Sequence, residues 1–424
     1  MPNQAELAPA SSTTADANER ALQLLFASKP VLVDVLPAID VLPGLTRDTV
    51  LTSGPPLPWE EYTGGQRQAL LGGVVYEGLA PDLAAAEKVL DGGQVKVAGC
   101  HDYSCVGSLA GVTTASMPVL VVEDAESGHR GYCTLYEGDT PSRLNYGVYN
   151  DAVQRNLDYL AQVIGPGLGE LLRSIDGGVP VHPLMERALH QGDELHSRNT
   201  AASLLFLRAV VPALIELDSA TARPLASYLT SGDYFFLRLS MAACKSMSDR
   251  LYGVEDSSVV TAMAFSCKEF GIRVSGHGDR WFRGPLPTAE QFHLFAGHTA
   301  EDIEVMGGES PITEVCGLGG MAQACAFPLQ TYQGGSPEGM VARNIEMYAI
   351  AAAEHPRFKI PFLQYRGTPV GIDVHRVIET GITPVMDVGI AGRAGGQIGA
   401  GCFRAPIEPF RAAASSLPRA APKV

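Results

Sequence analysis

Residues 364–410 read QYRGTPVGIDVHRVIETGITPVMDVGIAGRAGGQIGAGCFRAPIEPF and combine nine glycines with apolar, β-branched segments. This many glycines disfavour a packed helix or a long strand, whereas VGIDVHRVI and GITPVMDVGI are rich in strand-forming residues. We therefore predict short buried strands joined by tight loops, in which backbone N–H groups come close together. The polar side chains available there are Asp373, His375, Arg376, Glu379, Asp387, Gln397 and Arg404.

Outward from this block, the chain of 424 residues alternates helical and strand-like patterns. Helices are predicted at 17–26, 59–79, 82–90, 233–250, 257–270 and 338–354, and strands at 30–39, 95–98, 117–122 and 270–274. The fold class predicted is α/β (α+β) and multi-domain, with short buried strands, glycine-rich loops and a small helical subdomain. Its parts are a mobile tail at 1–16, an N-terminal α/β domain at 17–148, a helical subdomain at 149–232, a C-terminal α/β domain with glycine-rich site loops at 233–410, and a mobile tail at 411–424.

Composition excludes several classes of protein. The net charge of −15 gives no general cationic surface for nucleic acid or an anionic membrane. The amino-terminal sequence lacks the features of a signal peptide, and no run of eighteen apolar residues occurs, so we expect a cytoplasmic protein. Eight cysteines without a CxxC pair are typical of reduced core thiols. A small anionic substrate stays compatible with this charge, because a few local arginines can bind it.

The loop AGCHDYSCVGSLAGVTTASMPV, residues 98–119, follows a predicted strand and carries candidate reactive side chains. Cys105 or Ser104 can serve as a nucleophile with His101 as its base, since a neighbouring base makes a thiolate or alkoxide easier to form. The alternative is a structural loop cysteine beside a hydrogen-bonded histidine.

The segment LHQGDELHSRN, residues 189–199, concentrates polar side chains before a very apolar helix. A helical conformation would place His190, Glu194 and Arg198 on one stripe and Asp193, His196 and Thr200 on the next. These stripes can bind a polar ligand. The alternatives are a metal site that needs further ligands from elsewhere, and a solvated, ion-paired helix start.

Two further glycine-bearing segments are candidate ligand loops. KEFGIRVSGHGDRWF, residues 268–282, predicts a strand that enters a turn of Gly276, His277, Asp279 and Arg280, where backbone amides and a guanidinium can bind an anion. ESPITEVCGLGGMAQACA, residues 309–326, offers Glu314 and a glycine cluster that can place a helix N-terminus against an anion. A structural turn and close helix packing are the respective alternatives.

Taken together and in this order, the blocks resemble the YlbE-like (AllG-like) family, which includes the large subunit of oxamate carbamoyltransferase. The resemblance runs from Asn18 to Phe410. Its most specific pieces are ANERAL, TSGPPLPWE, SMPVLVVE, YCTLYEG, GDELHSRN, MAACKSM, VTAMA, FGIRVSGHGDRWF, RGTPVGIDVHRVIETGITPV and GQIGAGCFRAP.

The resemblance implies an enzyme, carbamoyltransferase-like, that acts on a carbamoyl, ureido or amide group of a small polar substrate. In the oxamate system, oxalurate and phosphate are interconverted with oxamate and carbamoyl phosphate, beside an acyl-CoA-ligase-like partner and a second, smaller subunit. We expect no cofactor and no metal, and a homo-oligomer. Such chemistry needs anion clamps, for which Arg198, Arg280 and Arg404 are candidates, and groups that manage a proton.

The predicted catalytic residues are His101, Cys105, Asp193, Glu194 and His196. The predicted substrate-binding residues are Arg198, Asn199, Gly276, His277, Asp279, Arg280, Glu314, Asp373, Asp387, Gln397 and Arg404. Two departures from the family pattern, at 101–105 and at 387–392, remove histidines and add the Asp387 carboxylate, so we expect a divergent member with an altered substrate. The alternatives are an amidohydrolase or cyclisation-type enzyme using Cys105 or a metal, and a non-catalytic ligand-binding subunit.

Overall fold

The computed structural model describes residues 14–140, 142–287 and 292–417. Its α-helices are α1 (Thr14–Ala27), α2 (Ala38–Val41), α3 (Gly64–Tyr76), α4 (Leu83–Asp91), α5 (Asp151–Tyr159), α6 (Gly165–Arg173), α7 (His182–Leu189), α8 (Thr200–Leu214), α9 (Ser219–Thr230), α10 (Tyr234–Ser248), α11 (Ile312–Val315), α12 (Gln330–Gln333), α13 (Pro337–Ile350), α14 (Val374–Thr380) and α15 (Glu408–Ala414). None of these helices is long and apolar enough to cross a membrane.

The strands fall into several separate sheets, which confirms the predicted α+β class. They are β1 (Pro30–Pro37), β2 (Thr49–Thr52), β3 (Lys96–Gly99), β4 (Pro118–Asp124), β5 (Arg130–Thr134), β6 (Val179–Pro180), β7 (Val260–Phe265), β8 (Phe270–Val274), β9 (Phe282–Gly284), β10 (Phe292–Leu294), β11 (Ile303–Glu304), β12 (Ala351–Ile360), β13 (Arg366–Ile372), β14 (Val385–Gly392) and β15 (Gln397–Arg404). The sheet orders are β5-β4-β1-β6, β10-β15-β14-β11, β7-β8-β9, β12-β13 and the parallel pair β2-β3.

Helix α10 is the central element of the main core. Every residue from Phe235 to Ser248 is buried, and the helix packs against β4 and β5 of the first sheet. This close approach depends on Gly131 in β5, because a Cβ atom there would lie 2.1 Å from the carbonyl oxygen of Ala242. A helix that is enclosed in this way holds its side chains rigidly, including the few polar ones.

The carboxyl-terminal block folds as predicted, into short buried strands joined by tight turns. Strands β14 and β15 form an antiparallel hairpin in which Val385 pairs with Arg404 and Asp387 pairs with Cys402. β13 pairs with β12. Since alternate residues of a strand face opposite sides, the hairpin directs Asp387 and Gly389 towards one side together.

Two helix predictions are wrong. Residues 257–270 contain strand β7 instead, because the run is buried on both faces and includes β-branched Val259, Val260 and Thr261. Residues 190–199 form an irregular loop between α7 and α8, in which Leu195 has a φ of 71°. The Glu194 carboxylate accepts backbone hydrogen bonds in this loop that a helix would have satisfied internally.

The predicted domain boundaries at 148 and 232 stay predictions. Helices α5 to α9 lie between them, and β6, which also lies between them, pairs with β1. At the ends, α1 begins at Thr14 and α15 extends to Ala414. Most of the predicted tails, 1–13 and 418–424, lies outside the described residues.

Candidate functional site

A cavity of about 60 Å³ lies where α10, the loop before α8, the turn at 143–146, the loop at 307–310 and the β14–β15 hairpin meet. That space accommodates several water molecules or a small anion. Its walls are Ser108, Leu109, Tyr136, Arg143, Tyr146, His196, Ser197, Tyr234, Leu237, Arg238, Gly307, Gly308, Ser310, Val388, Gly389 and Gln397.

Two arginines give this cavity a positive charge. Arg238 is 5% exposed and Arg143 is 8% exposed. The Nε and Nη1 atoms of Arg238 and the Nε atom of Arg143 have no hydrogen-bond partner among the described residues, and neither side chain forms an ion pair there. A buried, unpaired guanidinium is costly, because its lost hydration is not replaced. The unused donors of the two guanidinium groups can therefore bind an anionic ligand.

Aromatic rings hold Arg143 in place. Its Nη1 atom donates to the Tyr136 hydroxyl at 3.0 Å, and its guanidinium lies 4.1 Å from the centre of the Tyr146 ring. The first contact uses the Nη1 donor and the second uses the face of the guanidinium. The Nε atom of Arg143 is left without a hydrogen-bond partner among the described residues. The geometry is that of a fixed cation–π stack with donors left over for a ligand.

His196 lines the same cavity and is oriented from behind by Glu314. Its Nδ1 atom lies 2.8 Å from Glu314 Oε1 and 3.0 Å from Oε2, so Nε2 is the ring nitrogen available to a ligand. Burial alone would lower the pKa of His196, but the Glu314 charge and hydrogen bond, together with the charge of Asp387, raise it above its ordinary value. A histidine held by a carboxylate is suited to accept and return a proton.

A group of buried carboxyls surrounds this pair. Glu314 Oε1 also accepts the backbone N–H groups of Gly320 and Asp387, each at 3.0 Å. Burial and the nearby Glu314 charge raise the pKa of Asp387 to about 6. Burial and the Asp387 charge raise the pKa of Glu194 well above its ordinary value. Like charges this close disfavour one another's ionised forms, so Glu194 and Asp387 bind protons more readily than exposed carboxyl groups do.

A second buried polar cluster lies around His101. Its Nδ1 atom is 3.1 Å from Lys245 Nζ, and its Nε2 atom is 4.0 Å from Glu309 Oε1. Burial, followed by the charges of Lys245 and Arg273, lowers the pKa of His101 well below its ordinary value. Burial raises the pKa of Glu309 to about 8, although the N–H groups of Gly107 and Gly54 donate to it.

Helix α10 joins the two clusters. Arg238 and Lys245 lie seven residues apart and therefore on the same face, roughly 10 Å apart along the axis. Arg238 reaches the cavity, whereas Lys245 Nζ donates to Asp249 Oδ1 at 2.7 Å beside His101. One buried helix thus positions a cation in each cluster.

Comparison with known proteins identifies the family. The model of the family "Oxamate carbamoyltransferase subunit AllG" matches residues 95–310, which include the loops and α10 of the site. The oxamate carbamoyltransferase subunit AllG of Escherichia coli strain K12 is 36% identical over 96% of this chain and 98% of its own. This chain belongs to the AllG family. The resemblance drawn from the sequence blocks is confirmed.

Two other proteins are similar to this AllG-family chain over nearly its whole length. The uncharacterized protein YahG of Escherichia coli strain K12 is 38% identical over 96% of this chain and 86% of its own. A crystal structure of a conserved protein of unknown function from Enterococcus faecalis V583 superposes with a TM-score of 0.90 at 36% identity, covering 95% of this chain and 98% of that one.

The AllG-family fold brings together the predicted residues of the 189–199 segment with two distant ones. Asp193 Oδ2 accepts from the N–H of Ala202 at 2.8 Å, and Asn199 Nδ2 donates to the carbonyl of His196 at 2.8 Å. Arg198 Nε donates to the Gly192 carbonyl at 3.0 Å. Glu194 and His196 then meet Glu314 and Asp387, as described above, and Gln397 lies in the cavity wall.

Other predicted residues lie elsewhere. Gly276 packs against the carbonyl of Ser257, and His277 Nε2 lies 2.9 Å from Ser416 Oγ. Asp279 and Arg280 are exposed. Residues 276–280 are not among the residues that line the cavity.

Asp373 and Arg404 are also separate from the cavity. Asp373 caps α14 through His375 N and accepts from Asn18 and Ser258. Arg404 donates to the Thr383 carbonyl at 3.5 Å and pairs with Glu346. These two residues stabilise local structure at their positions.

Cys105 and the three histidines His101, His190 and His196, which are candidate metal ligands by residue type, have separate surroundings. Cys105 is fully buried in a core cluster, where its thiol lies 3.9 Å from the Val106 carbonyl oxygen. His190 meets the edge of Tyr365, whereas His101 and His196 belong to the two polar clusters. Within 14–140, 142–287 and 292–417, no three His, Cys, Asp or Glu side chains converge as metal ligands.

Sequence reasoning missed Arg143 and Arg238, together with the tyrosines around them. A signal for Arg238 was present, because YFFLRLSMAACKSMS places one Arg and one Lys in an otherwise apolar helix. Charged residues are rarely buried without a partner or a function. Arg143 carries no comparable signal, since PSRLNYG reads as an ordinary polar turn.

Proposed function

We propose that this chain takes part in carbamoyl transfer and binds a small anionic ureido or carbamoyl substrate in the cavity beside His196. The observation that carries the proposal is the pair of buried guanidinium groups, Arg143 and Arg238, which lack ion-pair partners among the described residues and face the same space as His196. A carboxylate or phosphate on the ligand would complete their hydrogen bonds. The name of the Escherichia coli relative, a carbamoyltransferase subunit, supports this chemistry.

In the proposed reaction, an oxygen of hydrogen phosphate attacks the terminal ureido carbonyl carbon and forms a C–O bond. The C–N bond to the departing nitrogen breaks, and the proton of hydrogen phosphate ends on that nitrogen. One ureido acid and one hydrogen phosphate thereby become one carbamoyl phosphate and one amide, or one amine where the departing nitrogen carries an alkyl group, and the net charge is unchanged. The reverse direction uses the same groups.

His196 has the position to move that proton. Its Nε2 atom is free of Glu314, which holds Nδ1 at 2.8 Å and stabilises the protonated ring. The ring can accept the phosphate proton and return it to the leaving nitrogen. The two guanidinium groups stabilise the negative charge that develops on phosphate and carbonyl oxygen. Behind the ring, burial and the neighbouring carboxylates raise the pKa values of Glu194 and Asp387, which disfavours a high negative charge there.

We further propose that the chain works with partner subunits. The Escherichia coli relative is named as a subunit, which supports an assembly in which another chain completes the reaction. An acyl-CoA-ligase-like partner and a homo-oligomer remain part of this proposal. The same name also favours a second candidate function, that of a subunit which binds the ligand without catalysing the reaction. A measurement of turnover distinguishes this function from carbamoyl transfer by the chain itself.

The test combines binding with turnover. Carbamoyl phosphate and a panel of ureido acids are titrated calorimetrically into the protein, alone and with its co-encoded subunits, and ³¹P NMR follows carbamoyl phosphate. Arg238→Gln should lower anion affinity at least tenfold, whereas Arg208→Gln, which removes an exposed arginine of α8, should not change it. Equal affinity of the two variants and the unaltered protein would overturn the proposal. Binding without turnover in the complete assembly would favour the ligand-holding subunit.

A further inference from the structure

A second cavity, of about 100 Å³, adjoins the site described above. Four residues line both spaces, namely Leu109, Gly307, Val388 and Gly389. The remaining walls of the second cavity are Phe265, Leu286, Pro287, Ile303, Glu304, Val305, Met306, Ile390, Ala391 and Phe403. The two cavities are therefore neighbouring compartments of one site.

The two compartments differ in chemistry. The first holds Arg143, Arg238 and His196, whereas the second is walled by apolar side chains, with Glu304 as its one charged residue among those described. The second compartment is partly open to solvent, since Val305 in its wall is 40% exposed. An apolar group of a ligand fills such space favourably.

Two of the four shared wall residues are glycines, Gly307 and Gly389. A Cβ atom at Gly389 would lie 2.9 Å from Gln397 Nε2, so the amide of Gln397 can approach β14 only because position 389 lacks a side chain. Gly307 has a φ of 85°, and a Cβ there would lie 2.7 Å from Ser53 Oγ. Two side chains are thus absent at the boundary between the compartments.

We infer that the substrate is an N-carbamoyl (α-ureido) acid with a short, branched aliphatic side chain. Its carboxylate and ureido group would occupy the arginine compartment, and its side chain would occupy the apolar one. A cavity of about 150 Å³ binds benzene. The smaller space here, about 100 Å³, matches a group the size of isopropyl or isobutyl rather than a phenyl ring. This inference rests on the proposed function, since it assumes that the anion binds at the arginines.

A homologous series tests the inference. N-carbamoyl derivatives of glycine, alanine, valine, leucine and phenylalanine are titrated calorimetrically into the protein. Affinity should rise roughly fourfold for each added methylene up to valine or leucine, because each buried methylene contributes a fixed transfer free energy. It should then fall for phenylalanine, whose ring exceeds the space.

Two variants test whether the apolar compartment causes the preference for valine and leucine derivatives. Ala391→Phe fills the apolar compartment and should abolish the preference for valine and leucine, which is measured as the ratio of their affinities to that of the glycine derivative within the variant. Val305 lies in the same wall and is 40% exposed, so Val305→Asn should not prevent folding. This variant should reduce the preference for valine and leucine at least threefold. Arg238→Gln should weaken every member of the series.

The outcomes separate the two proposals. If every derivative binds with the same affinity, or the glycine derivative binds tightest, the inference about the side chain is overturned while the anion site stands. If no derivative binds while carbamoyl phosphate does, the inference is overturned and the proposed function stands; if neither carbamoyl phosphate nor any ureido acid binds to the protein with its partner subunits, the proposed function itself fails. A graded series that Ala391→Phe and Val305→Asn leave intact would also overturn the inference.

Discussion

Glu314 Oε1 lies 2.8 Å from His196 Nδ1, although the two residues are 118 positions apart in the chain. The carboxylate opposes the effect of burial and keeps the pKa of His196 above its ordinary value of 6.5. We expect Glu314→Gln to lower that pKa below 6.5, because the amide keeps the size but not the charge. An NMR titration of the His196 ring measures it, with exposed Glu301→Gln as the control. An unchanged titration would contradict the pairing.

Replacing Arg238 should reveal the conflict between function and stability. In anion-free buffer, Arg238→Met should increase the free energy of unfolding by about 1 kcal/mol or more, because it removes a buried charge whose Nε and Nη1 atoms have no hydrogen-bond partner among the described residues. The same variant should lose anion binding. Urea denaturation and calorimetry give the two values.

A buried arginine with a partner is the matched control. Arg250 Nη1 lies 3.0 Å from Asp124 Oδ2, and both side chains are largely buried. Arg250→Met should therefore destabilise the protein by about 3 kcal/mol or more, since it leaves Asp124 without its counter-charge. Destabilisation of equal size in both variants would argue that Arg238 is structural.

His182 makes stability depend on pH. Both ring nitrogens lack partners among the described residues, and burial, followed by the charge of Arg357, lowers its pKa to about 4. The unfolded chain binds a proton near pH 6.5, so stability is fully present above that pH and falls as the pH drops towards 4. The contribution is on the order of 3 kcal/mol. Urea denaturation of His182→Phe should show a smaller loss between pH 7 and pH 4; an identical loss would contradict the assignment.

Gly320 lies next to the Glu314 carboxylate, at a position where two backbone segments come very close together. A Cβ atom there would lie 2.1 Å from the Val385 carbonyl oxygen, so Gly320→Ala should destabilise the protein by about 2 kcal/mol or more. Gly339 in α13 is the matched control, because its nearest neighbour would be 3.5 Å away. Gly339→Ala should be neutral or stabilising by up to about 1 kcal/mol in urea denaturation. Equal effects would show that β14 can shift.

Cys105 should be dispensable for turnover if the proposed reaction is correct. Its side chain is fully buried and is not among the residues that line the cavity. Cys105→Ala should keep the rate of carbamoyl phosphate formation within about twofold, whereas His196→Gln should lose at least a hundredfold. A folded Cys105→Ala protein without turnover would favour the nucleophile hypothesis instead.

Local sequence predicted secondary structure correctly where one physical preference dominates. Glycine spacing and β-branched residues predicted the strands around β13 to β15, and the strand pattern of FGIRV predicted β8. The same reasoning failed at 257–270, where alanine and methionine favour a helix but burial on both faces favours a strand. It also failed at 190–199, where the Glu194 side chain replaces helical hydrogen bonds.

For the site, the sequence identified individual polar residues, including Glu194, His196, Glu314 and Asp387, because buried-looking segments with charged side chains are unusual. Their grouping was decided only by tertiary structure, since Glu314 reaches His196 across 118 residues. Arg143 and Arg238 come together through the packing of α10 against a turn almost a hundred residues earlier. Composition shows which residues are present, and periodicity shows which face of a helix or strand they occupy. Contacts between distant segments, and the pKa values that depend on them, arise only when the core closes.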